Sequence, residues 1–384
     1  DLPGISGNGV LRQGSEVGSS ELLVTINPPP PTSYVLTLNN GASKTMGQYS
    51  TGINATFNNP DYPSALSFGF SSALKNDDDQ LFNPILKAFN GTYSTSLGDD
   101  GLIFSLGGIY AIAKPQGSLK SLGVLSKSYS LAPRLRYPMK RSRAESYYIE
   151  GGLNVARSET FLLDSSTTKD KLTVFDLVFS VTNDIWFGGN TQLNFTIAQG
   201  LDLFDSRSDS INLPGPSIAN FKQKFLKYKF SGSHTLPIKK INSKLKINAQ
   251  AQWTNDKLLA GEQITFGGPA IGRGYDAGSI AGERGFGLSF ELSKDFFKQE
   301  IFNLSLSSYE LFAFIDYAEA KILNEPISGT PERISYLGSH GVGARFSEKS
   351  GLMVDFMIAR ARNEIPSQDA RRNPRIIISL IKPF

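Results

Sequence analysis

The sequence has no cysteine and only two histidines, His234 and His340, in 384 residues. The first absence excludes structural disulfides, thiol catalysis and cysteine-ligated zinc. It also suits passage through an oxidising compartment. The two histidines are far apart and neither sits in an H-E-x-x-H setting, so nothing points to a metal site. Charged residues make up 19% of the chain, and the net charge of +4 is scattered rather than gathered into a stripe. A nucleic-acid partner would need such a stripe. There is no G-x-S-x-G elbow and no phosphate loop, so the chain reads as a non-enzyme with no cofactor. No apolar run reaches the roughly 18 residues of a membrane-crossing helix. The acids of "NDDDQ" (residues 76–80) lack the spacing of a calcium loop and read as a solvated turn.

What the chain has in quantity is glycine, 37 residues, and phenylalanine, 26 residues, arranged in alternating segments. In "KLKINAQAQW", Leu245, Ile247, Ala249, Ala251 and Trp253 share one face, and Lys246, Asn248, Gln250 and Gln252 the other. That is a period of two, the signature of a strand with unlike faces. Leu193, Phe195 and Ile197 alternate with Gln192, Asn194 and Thr196 in the same way. The pattern predicts sixteen strands, near residues 33–40, 47–58, 64–75, 89–97, 102–113, 121–137, 146–162, 172–184, 189–201, 224–236, 244–253, 283–295, 304–320, 334–346, 352–362 and 374–384. The even-numbered connections are short turns such as "GDDG" and "SEKSG", and the odd-numbered ones tend to be longer, above all the ninth and eleventh. An even number of strands with short turns on one rim and long loops on the other describes an antiparallel transmembrane β-barrel. A closed barrel suits hydrocarbon because no edge is left with unpaired backbone groups. A soluble sandwich would instead bury its apolar faces between two sheets.

Residues 1–26 differ in character and read as the end of a preceding domain, with residues 27–32 a proline-rich linker and 33–384 the barrel. Within the eleventh connection, Gly272, Gly274 and Ala277 match a G-x-G-x-x-A dinucleotide fingerprint. That fingerprint needs a helix opening on it, whereas an alternating strand pattern follows here, so a nucleotide site is rejected.

These pieces resemble the two-partner secretion transporters of the TpsB type, in the superfamily that includes the barrel-assembly protein BamA. "YPMKRSRAESYYIEGGL" is similar to that family's Tyr-Pro-x-x-Arg-Ser-Arg turn and following strand. "LLAGEQITFGGPAIGRGYDAGSIAGERGFGLSFEL" resembles its Leu-x-x-x-Glu-x-x-x-x-Gly-Gly run into Val-Arg-Gly-Tyr/Phe, and "FAFIDYAEA" its next strand. Residues 1–26 resemble the end of a polypeptide-transport-associated (POTRA) domain. There are departures: Gly272 stands where the family has Val or Ile, with Ile271 one place earlier, and Lys382 and Pro383 precede the terminal Phe384. Pro383 cannot donate a ladder hydrogen bond, so the last strand is expected to end weakly.

The resemblance implies a bacterial outer-membrane barrel, monomeric, that exports a large unfolded TpsA-type partner protein without ATP. It implies that the sixth outer loop, carrying Arg273, Gly274 and Tyr275, folds into the lumen, where Arg273 meets an inner-wall acid. Parity makes Asp316 the first choice, since Ala313, Ile315 and Tyr317 would face lipid; Glu291 and Asp355 are the runners-up. Gln192, Asn194, Asn248 and Gln250 would supply a polar lumen. A BamA-like insertase and a passive porin are the alternatives.

Overall fold

Along "LFAFIDYAEA" burial alternates residue by residue: Leu311, Ala313, Ile315 and Tyr317 are exposed, while Phe312, Phe314, Asp316 and Ala318 are buried. The same alternation organises most of the chain. In a computed structural model, which describes residues 6–15, 19–27, 29–59, 62–74, 84–208, 212–301, 304–323, 333–365 and 373–384, it produces twenty strands and four short 3-10 turns. The "NDDDQ" segment lies outside the described residues.

The first two strands, β1 (Ser6–Gln13) and β2 (Ser20–Asn27), form a separate antiparallel hairpin. The next eleven are β3 (Thr32–Asn39), β4 (Tyr49–Asn58), β5 (Ser64–Leu74), β6 (Leu86–Leu97), β7 (Leu102–Ala113), β8 (Leu125–Arg141), β9 (Glu145–Leu162), β10 (Ser165–Asn183), β11 (Asn190–Leu201), β12 (Leu226–Ile238) and β13 (Ser243–Thr254). After the short β14 (Ile264–Phe266) and β15 (Ile280–Gly282) come β16 (Arg284–Ile301), β17 (Leu304–Ile322), β18 (Arg333–Glu348), β19 (Met353–Ala361) and β20 (Arg375–Pro383). Strands β3–β13 and β16–β20 pair with their sequence neighbours, and β20 pairs with β3, closing a barrel of sixteen antiparallel strands.

The connections alternate as expected, with residues 98–101, 142–144, 239–242 and 349–352 on the short rim and 202–225 and 255–283 on the other. One differs. The connection between β9 and β10 shrinks to residues 163–164, because β10 begins at Ser165 rather than near 172. "SSTTKDK" is polar on both faces, so alternation gives no sign of a strand there. The ladder to β9 nevertheless continues through it, across a bulge at Ser166/Thr168.

Closure is the shortest inter-strand pairing of the barrel, running from Ser379↔Asn39 to Pro383↔Val35. The expected weak end is only partial. Pro383 donates nothing, but Phe384 N–H reaches the Tyr34 carbonyl at 2.8 Å and Tyr34 N–H reaches the Phe384 carbonyl at 3.2 Å. Beyond the paired stretch, Asn40 continues the ladder with its side chain, its Oδ1 accepting Ile378 N–H at 2.7 Å.

The outer face carries large apolar side chains, among them Phe68, Ile109, Phe290, Ile315 and Val342, all exposed. On a membrane barrel a lysine near the bilayer midplane of that face costs about 2–4 kcal/mol. Ile315→Lys, near the middle of β17, is therefore expected to lower the urea midpoint of the folded barrel in lipid vesicles. Gln192→Lys, which points into the lumen, is expected to leave it unchanged.

Candidate functional site

Residues 255–283 form a tongue whose stem is the β14–β15 pair, Ile264↔Gly282 to Phe266↔Ile280. Four tongue side chains, Phe266, Ile271, Tyr275 and Ile280, are buried with Ala318 and Ala320 of β17 and Leu337 of β18 in one apolar cluster. The inward positions of these wall strands thus form a dry surface for the tongue. Tongue backbone bonds fold the tip back on the stem: Gly267 N–H donates to Ile271 O at 3.0 Å and Gly268 N–H to Tyr275 O at 3.1 Å.

Gly272 has φ = +93°, and a Cβ there would lie 2.7 Å from Leu337 Cδ1. A β-branched residue in this conformation is therefore excluded on two counts. Ile271, 2% exposed, provides the buried aliphatic side chain instead. That accounts for the departure from the family pattern at these two positions.

Arg273 is the centre of the arrangement. Its Nε and Nη2 donate to Asp316 at 3.2 and 2.9 Å, its Nη1 to Glu291 Oε2 at 2.5 Å, and Nη2 also to Ser289 Oγ at 2.8 Å. The guanidinium carbon lies 3.5 Å from the centroid of the Phe314 ring. Asp316 Oδ2 further accepts the backbone N–H groups of Gly272 and Arg273, at 3.1 and 3.0 Å, and the Ser339 hydroxyl at 2.9 Å. Side-chain exposure is 5% for Arg273, 5% for Glu291 and 0% for Asp316. An arginine–carboxylate contact this dry and this fully bonded belongs to the strong, charge-assisted class.

Of the three acids singled out from the sequence, Asp316 and Glu291 both hold Arg273. Asp355 does not. It faces the lumen from β19 but accepts Arg345 Nε at 3.2 Å. Tyr275, 1% exposed, ends between β18 and the segment just past β19: its hydroxyl lies 3.0 Å from Gly338 O and 2.8 Å from Asn363 O, and accepts Asn363 N–H at 3.2 Å. Gly274 lies against β19, where a Cβ would meet Ala361 N at 2.6 Å.

Three further groups of contacts were not read from the sequence. Glu262 receives buried Lys227 of β12 through Nζ, 2.5 Å from Oε2, and its carbonyl accepts Gln252 Nε2 at 3.0 Å, fixing the start of the tongue. Arg345 of β18 joins Glu291 (2.8 Å), Glu310 (3.0 Å) and Asp355, and Lys244 continues the series between Glu310 and Asp295. Asp276, at the tongue tip, has Oδ1 3.0 Å from Nη2 of Arg375 on β20, near enough for an ion pair although off the hydrogen-bond axis. Glu262 is the acid of the Leu-x-x-x-Glu run, so the motif carried a signal for that one. Arg345 and Arg375 stand in no motif.

The tongue leaves polar space beside it. A cavity of about 380 Å³ is lined by Gln192, Asn194, Asn248, Gln250, Arg273 and Glu291 among others, so the four lumen residues expected from alternation do face inward.

A closed sixteen-stranded barrel with an apolar outer face and a long loop bonded to its inner wall defines a transmembrane β-barrel of the outer-membrane class. The family model "Haemolysin secretion/activation protein ShlB/FhaC/HecB" matches residues 18–346, and the chain belongs to that family. It is therefore a protein of the bacterial outer membrane. Among solved structures, CdiB from Escherichia coli is similar at a TM-score of 0.78 and 19% identity, over 98% of this chain and 67% of that one. CdiB from Acinetobacter baumannii gives 0.70 and 17% over 99% and 66%. BamA from Haemophilus ducreyi lacking POTRA domains 1–3 gives 0.63 and 14% over 99% and 75%. At these identities the likeness concerns the fold. The chain spans about two thirds of the length of either CdiB. Among curated proteins none matches the sequence.

Proposed function

We propose that this protein exports one large, unfolded TpsA-type partner through its lumen, with the tongue as a non-covalent stopper that must leave or reshape for the chain to pass. The observation that supports this most is the Arg273 site. A family of secretion barrels is joined here to a loop held inside by ionic and hydrogen bonds, which can break and re-form. No catalytic group is required. Direction comes from folding of the partner outside, which removes extended chain from the exit side without ATP. On this reading residues 1–26 close a POTRA domain that helps to capture the partner.

The test is export of a reporter fused to the partner's N-terminal secretion domain, in cells with and without the protein. Dependence of export on the protein supports the reading. In planar bilayers a stoppered exporter should give small, flickering currents, whereas a porin gives a steady large one. The insertase alternative draws on the short closure between β20 and β3. It predicts that depletion lowers the assembly of other barrels while leaving reporter export unchanged.

A further inference from the structure

Glu291 stands between two guanidiniums. Its Oε2 takes Arg273 from the tongue, and its Oε1 takes Nη1 of Arg345 from the wall at 2.8 Å. The two arginines are built alike. Arg273 lies over Phe314 and Arg345 over Phe312, with guanidinium-to-centroid distances of 3.5 and 4.0 Å, and both rings point inward from β17. Such stacking adds to the hold on each cation. The difference between them is their place in the fold: Arg273 rides on a loop, Arg345 on a barrel strand.

A buried carboxylate left without its partner is costly, and that cost would oppose any departure of the tongue. Glu291 is not left alone when Arg273 leaves, because Arg345 is already bonded to it. Asp316 likewise keeps the Ser339 hydroxyl. We propose that Arg345 is the standing substitute for Arg273 at Glu291. It neutralises the vacated acid, weakens the seated tongue by like-charge repulsion, and so makes the lock reversible. It is a positioning residue, acting through Glu291. The inference rests on the export reading for its purpose, but its test needs no partner protein.

The sign of the effect separates this role from a structural one. If Arg345 only props Glu291 in place, its loss loosens the tongue. If it substitutes for Arg273, its loss leaves the site more negative and the tongue held more firmly. The reporter is Leu337→Cys, a wall residue 0% exposed beneath the tongue, in a chain with no other cysteine. Its rate of reaction with a soluble maleimide, on full-length protein in lipid vesicles, follows the fraction of time the tongue is away. In that background Arg273→Ala should speed labelling, and Arg345→Met should slow it by about fivefold or more. Arg345→Lys, which keeps the charge, should stay near the parent rate. Glu291→Gln added to Arg345→Met should return the rate to the parent value or above.

Faster or unchanged labelling in Arg345→Met overturns the proposal. Heat-modifiable migration of the barrel on a gel verifies folding, and Arg345→Gln replaces the methionine variant if that one does not fold. Labelling that fails as described while reporter export persists sinks this inference alone. Loss of reporter export in a protein that labels as described sinks the export reading alone.

Discussion

Arg273→Ala is expected to reduce partner export to near background while the barrel still inserts into the membrane. The side chain donates to Asp316, Glu291 and Ser289 and lies on Phe314, at 5% exposure. Removing one partner of a buried ionic group costs about 3–5 kcal/mol, whereas an exposed pair is worth about 0–1 kcal/mol. Only a cost of the first size moves the tongue from almost always seated to mostly unseated. An unseated tongue is a glycine-rich chain loose in the lumen, and an extended partner must displace it along the whole path. The apolar cluster beneath it, Leu337 included, is exposed at the same time. The measurement is partner protein in the medium against partner retained in the cell, with the heat-modifiable band as the insertion control. Normal export would remove the lock from the mechanism.

Asp316→Arg should be as damaging, and the charge-exchanged double variant should recover part of the export, not all of it. The reason is in the bonds Asp316 makes. Besides the guanidinium it accepts two backbone N–H groups, of Gly272 and Arg273, and the Ser339 hydroxyl. An arginine cannot accept any of them. Exchange restores the ion pair and leaves the tip of the tongue without its backbone anchor.

Much of this arrangement was legible in the sequence, and what was not has a common physical cause. Strand positions could be read wherever membrane and lumen impose unlike faces, as in "KLKINAQAQW" and "LFAFIDYAEA". Outside the membrane that contrast vanishes, and the polar start of β10 at "SSTTKDK" left no trace. The Arg273–Asp316 contact was readable because a family motif gave the arginine and parity gave the acid. Parity also placed Glu291 and Asp355 inward, but it does not rank acids on neighbouring strands. Their partners depend on register, in which Glu291 stands opposite Phe314 and Asp355 opposite Arg345. For the same reason Arg345, Lys244 and Arg375 carried no signal. Each is an ordinary lumen charge until the register and the seating of the tongue fix which acids lie beside it. Pro383 shows the converse: the missing donor was legible, but its relief by the next residue, through Phe384 and Tyr34, was not.

The lock also depends on close approach, and Gly274→Ala isolates that contribution. The substitution removes no charge and no hydrogen bond. It adds one methyl group whose carbon would lie 2.6 Å from Ala361 N, 2.7 Å from Arg360 C and 2.9 Å from Arg360 O. These are backbone atoms at the end of β19, held in the ladder to β18 through His340↔Arg360 and Ser339↔Ala361, and they cannot rotate away as a side chain can. Overpacking of this kind costs about 1–3 kcal/mol or more when the neighbours are rigid. The displacement falls between Arg273 and Tyr275, so one methyl group pulls the guanidinium from Asp316 and the tyrosine hydroxyl from Gly338 together. Maleimide labelling of Leu337→Cys should therefore rise towards the rate seen with Arg273→Ala, and export should fall with it. Gly261→Ala is the matched control: this glycine belongs to the same tongue and a Cβ there has nothing within 4 Å, so labelling should not change. If Gly274→Ala behaves like Gly261→Ala, the tongue does not sit tightly against β19 in the working protein, and close approach contributes nothing to the lock.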